Sequence, residues 1–194
     1  MSTPGGFREA YATYIEGGWV GLGGNPAWGG MGMPKSLAVQ VEEMLYGANS
    51  SFALYSTLTS GACLAIDAHA SEALKARYLP PLYEGRWAGS MCLTEAHAGS
   101  DLGLIRTRAE PQADGSYAVS GSKIFITGGE QDLTENIITW CWRACRTPRP
   151  ARRASRCSWC PRCWSTTTVR WARATRCTAV PSNTRWASRP RPPA

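Results

Sequence analysis

A twelve-residue stretch near the middle of the chain combines residue types that can hold a polar or anionic ligand. Residues 91–102 read Met-Cys-Leu-Thr-Glu-Ala-His-Ala-Gly-Ser-Asp-Leu. The small residues at 98–100 let a ligand approach the backbone closely, and successive N–H groups in such a turn attract anions. Thr94 and Ser100 add hydroxyls beside them. A tight turn between two strands explains the same letters without any ligand, so this pattern alone is a weak signal.

The elements around this stretch change from helical to extended patterns. Apolar residues recur at helical spacing before residue 87 and predict helices at 8–15, 36–46, 50–69 and 71–79. The prolines at 80 and 81 are expected to stop the last of these helices, with one further turn at 82–85. A glycine-rich loop is predicted at residues 19–34, packed down by four apolar side chains, Trp19, Val20, Leu22 and Trp28.

Beyond residue 87 the pattern predicts short strands, at 89–94, 106–109, 117–120 and 123–127. Residues 113–116, Ala-Asp-Gly-Ser, predict a hairpin turn between the second and third strands. A helical block that gives way to antiparallel strands indicates an α+β fold.

Several ordered motifs in this part resemble the acyl-CoA dehydrogenase family. Residues 91–101 resemble its motif (Y/M)-C-(I/V/L)-T-E-P-x-A-G-S-D, with Ala96 in place of the usual proline. Residues 123–129, Lys-Ile-Phe-Ile-Thr-Gly-Gly, resemble its K-x-(W/F)-I-(T/S)-(N/G)-G segment, and residues 78–85 resemble its Y-L-P-x-L-x-x-G segment. The details are most similar to the long bacterial branch that includes 3-methylmercaptopropionyl-CoA dehydrogenase.

The resemblance implies an FAD cofactor and α,β-dehydrogenation of an acyl-CoA thioester, with hydride transfer to flavin N5. Thr94 is expected at the N1/O2 edge of the flavin, and Thr127 near N5. Phe125 is expected to cover one flavin face. Ser100 is expected to approach both the cofactor phosphate and the CoA side of the substrate. The full set of cofactor-binding residues that the resemblance implies is Met91, Leu93, Thr94, Gly99, Ser100, Phe125 and Thr127.

No catalytic residue can be assigned from the resemblance. The family takes its catalytic base from a C-terminal helical domain that is absent from this sequence, and Glu95 is a poor substitute candidate. No metal site is expected. The implied partners are an acyl-CoA substrate, electron-transfer flavoprotein and further copies of the chain, with no membrane. The chain as written is therefore expected to be an inactive enzyme fragment, cytoplasmic because residues 1–138 show no export leader or membrane span and contain few cysteines.

The composition divides the chain at about residue 138. Before Thr139 there are 14 acidic and 8 basic residues, a formal charge of −6, whereas the last 56 residues contain 13 arginines and no acid. This tail has six Trp and six Cys but no Leu, Ile, Phe, Tyr, Met or Gly, so it cannot bury enough apolar surface to order itself. We expect an N-terminal helical domain at 1–87, the start of a middle β-domain at 88–138, and a disordered tail at 139–194.

Three interpretations of the tail compete. Cysteines at 157, 160 and 163 suggest part of a zinc site, but no paired C-x-x-C pattern or histidine completes it. Thirteen arginines interleaved with tryptophans suggest nucleic-acid binding, the alternative function for the chain. Translation out of frame is the third and the one we favour. A single fixed shift allows residues 139–146, 156–164 and 181–194 to read as H-L-V-L-A-R-L, S-L-F-L-V-P-K-V-L and I-E-H-K-M-G-I-K-A-S-P-T-C, each similar to the family in the correct order.

Overall fold

The computed structural model describes residues 2–113 and 117–141 of the chain. The centre of the predicted hairpin turn, and the tail from residue 142 onward with its predicted disorder and its zinc and nucleic-acid alternatives, lie outside the described residues. The described part forms two units, one of Met1–Met91 with Thr127–Thr139 and one that includes Cys92–Ile126. Helices fill the first unit and short strands follow, which confirms the predicted α+β class.

Three α-helices make up most of the first unit: α1 at Phe7–Glu16, α2 at Lys35–His69 and α3 at Glu72–Tyr83. Helix α2 is interrupted at Asn49, whose backbone is non-helical, so its two halves correspond to the two helices predicted at 36–46 and 50–69. The Asn49 side-chain oxygen accepts a hydrogen bond from the N–H of Phe52 at 3.0 Å and so caps the second half.

Aromatic side chains from α1 and α2 form the core of this unit. Phe52 packs edge-on against Tyr14 and Phe7, with ring centroids 5.9 and 5.8 Å apart. The Tyr14 hydroxyl lies 2.6 Å from the Ser56 hydroxyl, so its polar end is hydrogen-bonded although it is buried. Burial of these rings fixes α1 on the second half of α2.

The glycine-rich loop contains two short 3-10 helices, Trp19–Gly21 and Pro26–Trp28. Val20 and Leu22 are buried as predicted, but Trp19 is 44% exposed, so it does not hold the loop down. The loop is held by its own backbone instead: Met31 N–H donates to the Gly21 carbonyl at 2.8 Å. Gly30 is required here because an added Cβ would lie 2.1 Å from the Gly24 carbonyl carbon.

The end of α3 differs from the prediction. The helix continues through Pro80 and Pro81 to Tyr83 instead of stopping before them. Each proline removes one backbone donor but keeps a helical φ, and Leu79, Pro81 and Leu82 are buried at this end of the helix. Apolar burial therefore outweighs the two lost hydrogen bonds.

Within residues 2–113 and 117–141, four strands follow the helices: β1 at Trp87–Cys92, β2 at Arg108–Pro111, β3 at Tyr117–Ser120 and β4 at Asn136–Cys141. Strands β2 and β3 pair antiparallel, with Ala109 opposite Val119, as the predicted hairpin requires. Strand β1 pairs with β4, and the Ser90 hydroxyl lies 2.8 Å from that of Thr139. Strand β4 continues beyond residue 138, so the first three residues of the predicted disordered tail are in a strand.

The predicted strand at 123–127 is wrong, because these residues form no strand. Phe125 has a left-handed backbone with φ of 58°, which interrupts an extended segment. The Lys123 side chain in this segment is fully buried.

Among the described residues, no helix is both long enough and apolar enough to cross a membrane. The same residues contain no cluster of three or more His, Cys, Asp or Glu side chains that could bind a metal ion.

Candidate functional site

The residues that the sequence predicts for a cofactor site fall in both units. Met91 and Thr127 belong to the first unit, and both side chains are exposed. The second unit contains the remaining five, Leu93, Thr94, Gly99, Ser100 and Phe125.

A tight turn at residues 95–98 shapes the first part of the site. The N–H of Glu95 donates to the Ala98 carbonyl, and the N–H of Ala98 donates back to the Glu95 carbonyl, both at 3.0 Å. Ala98 is buried, whereas Gly99 and Ser100 directly after it are exposed. The turn therefore presents the two small residues at the surface, as the sequence predicts.

Gly99 lies beside Thr94 with open space around it. A Cβ added at Gly99 would meet only the Thr94 methyl group, at 3.8 Å, which is an ordinary contact. The fold of the described residues therefore does not itself require glycine at this position. The missing side chain leaves a surface next to Thr94 that a ligand can approach.

Phe125 is the most unusual residue of the site. Its ring is 67% exposed and its backbone is left-handed, a conformation that costs a non-glycine residue free energy. The neighbouring Ile124 N–H donates to the Thr94 carbonyl at 2.9 Å. The segment that carries Phe125 is thus hydrogen-bonded directly to the segment that carries Thr94.

A buried ion pair lies under these two segments. Lys123 is fully buried and Glu95 is 3% exposed, and the Lys123 Nζ atom lies 2.9 Å from Glu95 Oε1. The Lys123 ammonium also donates to the Leu93 carbonyl at 2.9 Å. A buried charge is stable only when paired and hydrogen-bonded, and here each charge has the other as its partner.

Further donors surround the Glu95 carboxylate. The Thr107 hydroxyl and N–H donate to Oε1 at 2.5 and 3.0 Å, and the Arg106 N–H donates to Oε2 at 2.8 Å. The His97 Nε2 atom lies 3.3 Å from Oε2. Burial alone acts to raise the Glu95 pKa, but the hydrogen bonds from Thr107, Arg106 and Lys123 outweigh it and lower the pKa to about 2. A carboxylate so stabilised in its ionised form is a poor proton acceptor, in agreement with the sequence-based argument against Glu95 as the base.

Local sequence patterns do not reveal this network. They predict Lys123 in a strand, and they offer Glu95 only as a weak candidate for a catalytic base. A signal was present, because Lys123 is the one charged residue in a motif of small and apolar residues, 123–129, and needs a counter-charge if that motif is buried. The pairing of Lys123 with Glu95 depends on a contact across 28 residues, which local patterns do not reveal.

The family model for the acyl-CoA dehydrogenase N-terminal domain matches residues 3–86. The N-terminal part of this chain belongs to the acyl-CoA dehydrogenase family. This finding agrees with the resemblance that the motifs indicate, and it covers the helices of the first unit.

Two relatives extend the family similarity beyond the N-terminal domain. The chain is 48% identical over 135 residues to 3-methylmercaptopropionyl-CoA dehydrogenase of Ruegeria pomeroyi, a match to 70% of this chain and 23% of that protein. It is 38% identical over 167 residues to a butyryl-CoA dehydrogenase of Syntrophomonas wolfei, which covers 84% of this chain and 27% of that protein. The chain thus spans about a quarter of the length of these acyl-CoA dehydrogenase relatives.

A solved structure shows the same relationship. Acyl-CoA dehydrogenase from Bacillus anthracis, determined as a complex with FAD, superposes with a TM-score of 0.61 at 27% identity, over 69% of this chain and 22% of that one. The helices and first strands described above are therefore similar in fold to those of this acyl-CoA dehydrogenase.

Proposed function

We propose that this chain carries part of the flavin-binding surface of an FAD-dependent acyl-CoA dehydrogenase. The observation that carries the proposal is the exposed, left-handed Phe125 hydrogen-bonded through Ile124 to the Thr94 segment. Strained exposed aromatic residues occur at functional sites, where a binding role offsets their cost. The match of residues 3–86 to the acyl-CoA dehydrogenase N-terminal domain supports a flavin as the ligand.

The residues present fit a flavin. The space beside Gly99 and Thr94 admits a polar ring edge, and the exposed Phe125 ring offers an apolar face on which an aromatic ring system can stack. In this proposal the Thr94 hydroxyl would hydrogen-bond the N1/O2 edge, where negative charge develops on reduction. Ser100, exposed after the turn, would contact phosphate or the CoA moiety, and Leu93 would add a ring contact. The ring contacts of Met91 and Thr127 are expected from the family resemblance alone.

The chemistry that FAD supplies when bound is acceptance of the β-hydrogen of an acyl-CoA as a hydride. Removal of the α-proton needs a separate carboxylate. Glu95 cannot serve, because its oxygens are already engaged by Thr107, Arg106 and Lys123. Because the 194 residues span about a quarter of the length of these relatives, we expect them on their own to bind flavin weakly and to show no dehydrogenase activity. Electron-transfer flavoprotein and further copies of the chain are the proposed partners of the complete family enzyme, and the cytoplasm is its proposed location.

A flavin titration of the 194-residue protein tests this proposal. We expect saturable quenching of FAD fluorescence with a Kd in the micromolar range or weaker, and no acyl-CoA-dependent reduction of a dye acceptor. The Thr94→Val variant should bind FAD several-fold more weakly, since it keeps the shape and loses the hydroxyl. Absence of saturable binding at millimolar FAD contradicts the proposed site, and turnover of acyl-CoA contradicts the assignment of the base to residues outside this chain.

We also propose that the segment after about residue 138 is translated out of frame. The support is its arginine-rich, acid-free composition and the family-like peptides that one fixed frame shift allows. Two observations bear against a break before residue 139: strand β4 runs to Cys141, and the 84% match to the Syntrophomonas wolfei relative is longer than residues 1–138 can supply. Sequencing the gene and its transcript across the Ile138 codon tests the proposal. A confirmed frame with no family-like peptides in either alternative frame overturns it.

A further inference from the structure

Two backbone carbonyls of the candidate site are bound by residues of the Lys123 segment. The Lys123 ammonium binds the carbonyl of Leu93, and the N–H of Ile124 binds the carbonyl of Thr94. The successive residues Lys123 and Ile124 therefore donate hydrogen bonds to the successive carbonyls of Leu93 and Thr94. Phe125 follows directly after this double attachment.

The Glu95 carboxylate supplies the counter-charge and a third attachment. Through Thr107 and Arg106 it also holds residues 106–107, which pack closely on the glycine at 121: a Cβ added there would lie 2.3 Å from the Thr107 hydroxyl oxygen. The Glu95 and Lys123 side chains are both buried and shielded from water. Neither side chain reaches the exposed surface at Gly99 and Phe125. Direct contact with a ligand is therefore not their role.

We propose that Glu95 and Lys123 are positioning residues, which set the placement of Thr94 and Phe125 for flavin binding. This inference rests on the proposed function. The pair fixes the separation of the two segments and keeps Phe125 in its left-handed conformation, because Ile124 and Lys123 are both anchored immediately before it. Loss of the pair frees the segment to relax to an extended backbone, and the aromatic face and the Thr94 edge no longer lie in a fixed relationship.

The test compares Lys123→Met with Gly89→Ala in the 194-residue protein. Gly89 lies in the first unit, where an added Cβ would be 2.5 Å from the Ala62 Cβ, so the variant destabilises the protein without touching the network. FAD affinity is measured by fluorescence quenching, and protection of the Ile124 amide by hydrogen exchange. We expect Lys123→Met to weaken FAD binding at least tenfold and to remove Ile124 protection. Gly89→Ala should leave FAD affinity within twofold at temperatures where both variants remain folded.

The outcomes separate the two proposals. Unchanged FAD affinity together with a protected Ile124 amide in Lys123→Met overturns the positioning role. An equal loss of FAD affinity in Gly89→Ala also overturns it, because the effect would then follow from stability alone. If the unmodified protein does not bind FAD, the proposed flavin site is overturned, and so is the positioning role of Glu95 and Lys123 in flavin binding. Loss of Ile124 protection in Lys123→Met would still show that the pair anchors the segment.

A second variant covers the case in which Lys123→Met does not fold. Glu95→Gln keeps the shape and one acceptor oxygen, which can serve Thr107 or Arg106 but not both, and it removes the charge that Lys123 needs. We expect an intermediate loss of FAD affinity, about three- to tenfold, with the circular dichroism spectrum of the native protein. Native FAD affinity in a folded Glu95→Gln variant would contradict the proposal independently of the first variant.

Discussion

The Thr59 hydroxyl accepts a hydrogen bond from the N–H of Gly89 at 3.0 Å and donates one to the Tyr55 carbonyl at 2.8 Å. Thr59 lies in the second half of α2 and Gly89 in β1, so one buried hydroxyl joins a helix to the first strand. The N–H of Gly89 is buried and needs an acceptor, which a helix surface rarely offers. This contact anchors β1 on the helical domain.

Thr59→Val should therefore destabilise the protein. Valine keeps the shape but leaves the Gly89 N–H without its acceptor, at a cost of roughly 1 to 3 kcal/mol in the free energy of unfolding. Urea unfolding followed by circular dichroism measures the change. The matched control is Thr13→Val in α1, where an exposed threonine makes the same kind of bond to the Glu9 carbonyl at 3.1 Å. We expect that variant to change stability by less than about 0.5 kcal/mol, and equal effects at both positions would contradict the role assigned to Thr59.

Alanine substitutions at Gly89 and Gly61 should change the stability of the protein in opposite directions. At Gly89 the new methyl group meets Ala62 at 2.5 Å and the Leu58 carbonyl at 3.0 Å, so we expect a loss of roughly 1 to 3 kcal/mol. At Gly61, an exposed position within α2, nothing lies within 4 Å. There alanine should stabilise the helix by up to about 1 kcal/mol. Thermal unfolding of both variants under identical conditions checks the sign of each effect.

The buried Glu95 carboxylate predicts a loss of stability in acid. Its folded pKa, about 2, lies below the 4.5 of an unperturbed glutamate, so its contribution is complete above about pH 4.5 and declines as the pH falls towards 2. Between pH 6 and pH 3 we expect a loss on the order of 2 kcal/mol from this group.

Measuring Glu95→Gln alongside the unmodified protein isolates this contribution. Asp132, whose pKa is lowered by hydrogen bonds from Arg8 and Thr3, titrates in the same range in both proteins. The difference between the two unfolding free energies should therefore shrink as the pH falls. A difference that stays constant from pH 6 to pH 3 would show that folding does not lower the Glu95 pKa.

Phe125→Gly should separate stability from binding. Glycine adopts a φ of 58° without strain, and the exposed ring contributes little burial, so stability should stay constant or rise by up to about 1 kcal/mol. FAD affinity should fall at least tenfold because the aromatic face is lost. Phe125→Leu is the control, since it keeps a side chain in the left-handed backbone and should lose affinity with no gain in stability. A Phe125→Gly variant that binds FAD normally would remove Phe125 from the site.

Local patterns in the sequence predicted the helices well because each has apolar residues at regular spacing, as in the stripe of the second half of α2. The same patterns failed at residues 123–127, where β-branched and aromatic residues suggest a strand but a left-handed Phe125 interrupts it. They also ended α3 too early, since proline propensity was overridden by buried neighbours.

The candidate site was predictable only in part. The exposed turn at Gly99 and Ser100 follows from small residues that are adjacent in sequence. The Glu95–Lys123 pair does not, because it depends on which distant segments pack together and on the exclusion of water from both charges. The flavin contacts assigned to individual residues remain predictions from the family resemblance.

The break in α2 at Asn49 divides the helix into two halves that contribute unequally to the stability of the protein. All seven of its buried residues, Phe52, Ala53, Ser56, Thr59, Ala62, Cys63 and Ile66, lie after the break. The second half begins with its own side-chain cap, so it does not depend on the first for its start. Local opening of the first half therefore requires far less free energy than global unfolding, and it can proceed while the aromatic core stays intact. We therefore expect a protease to cut near residue 47 while the rest of the molecule stays folded.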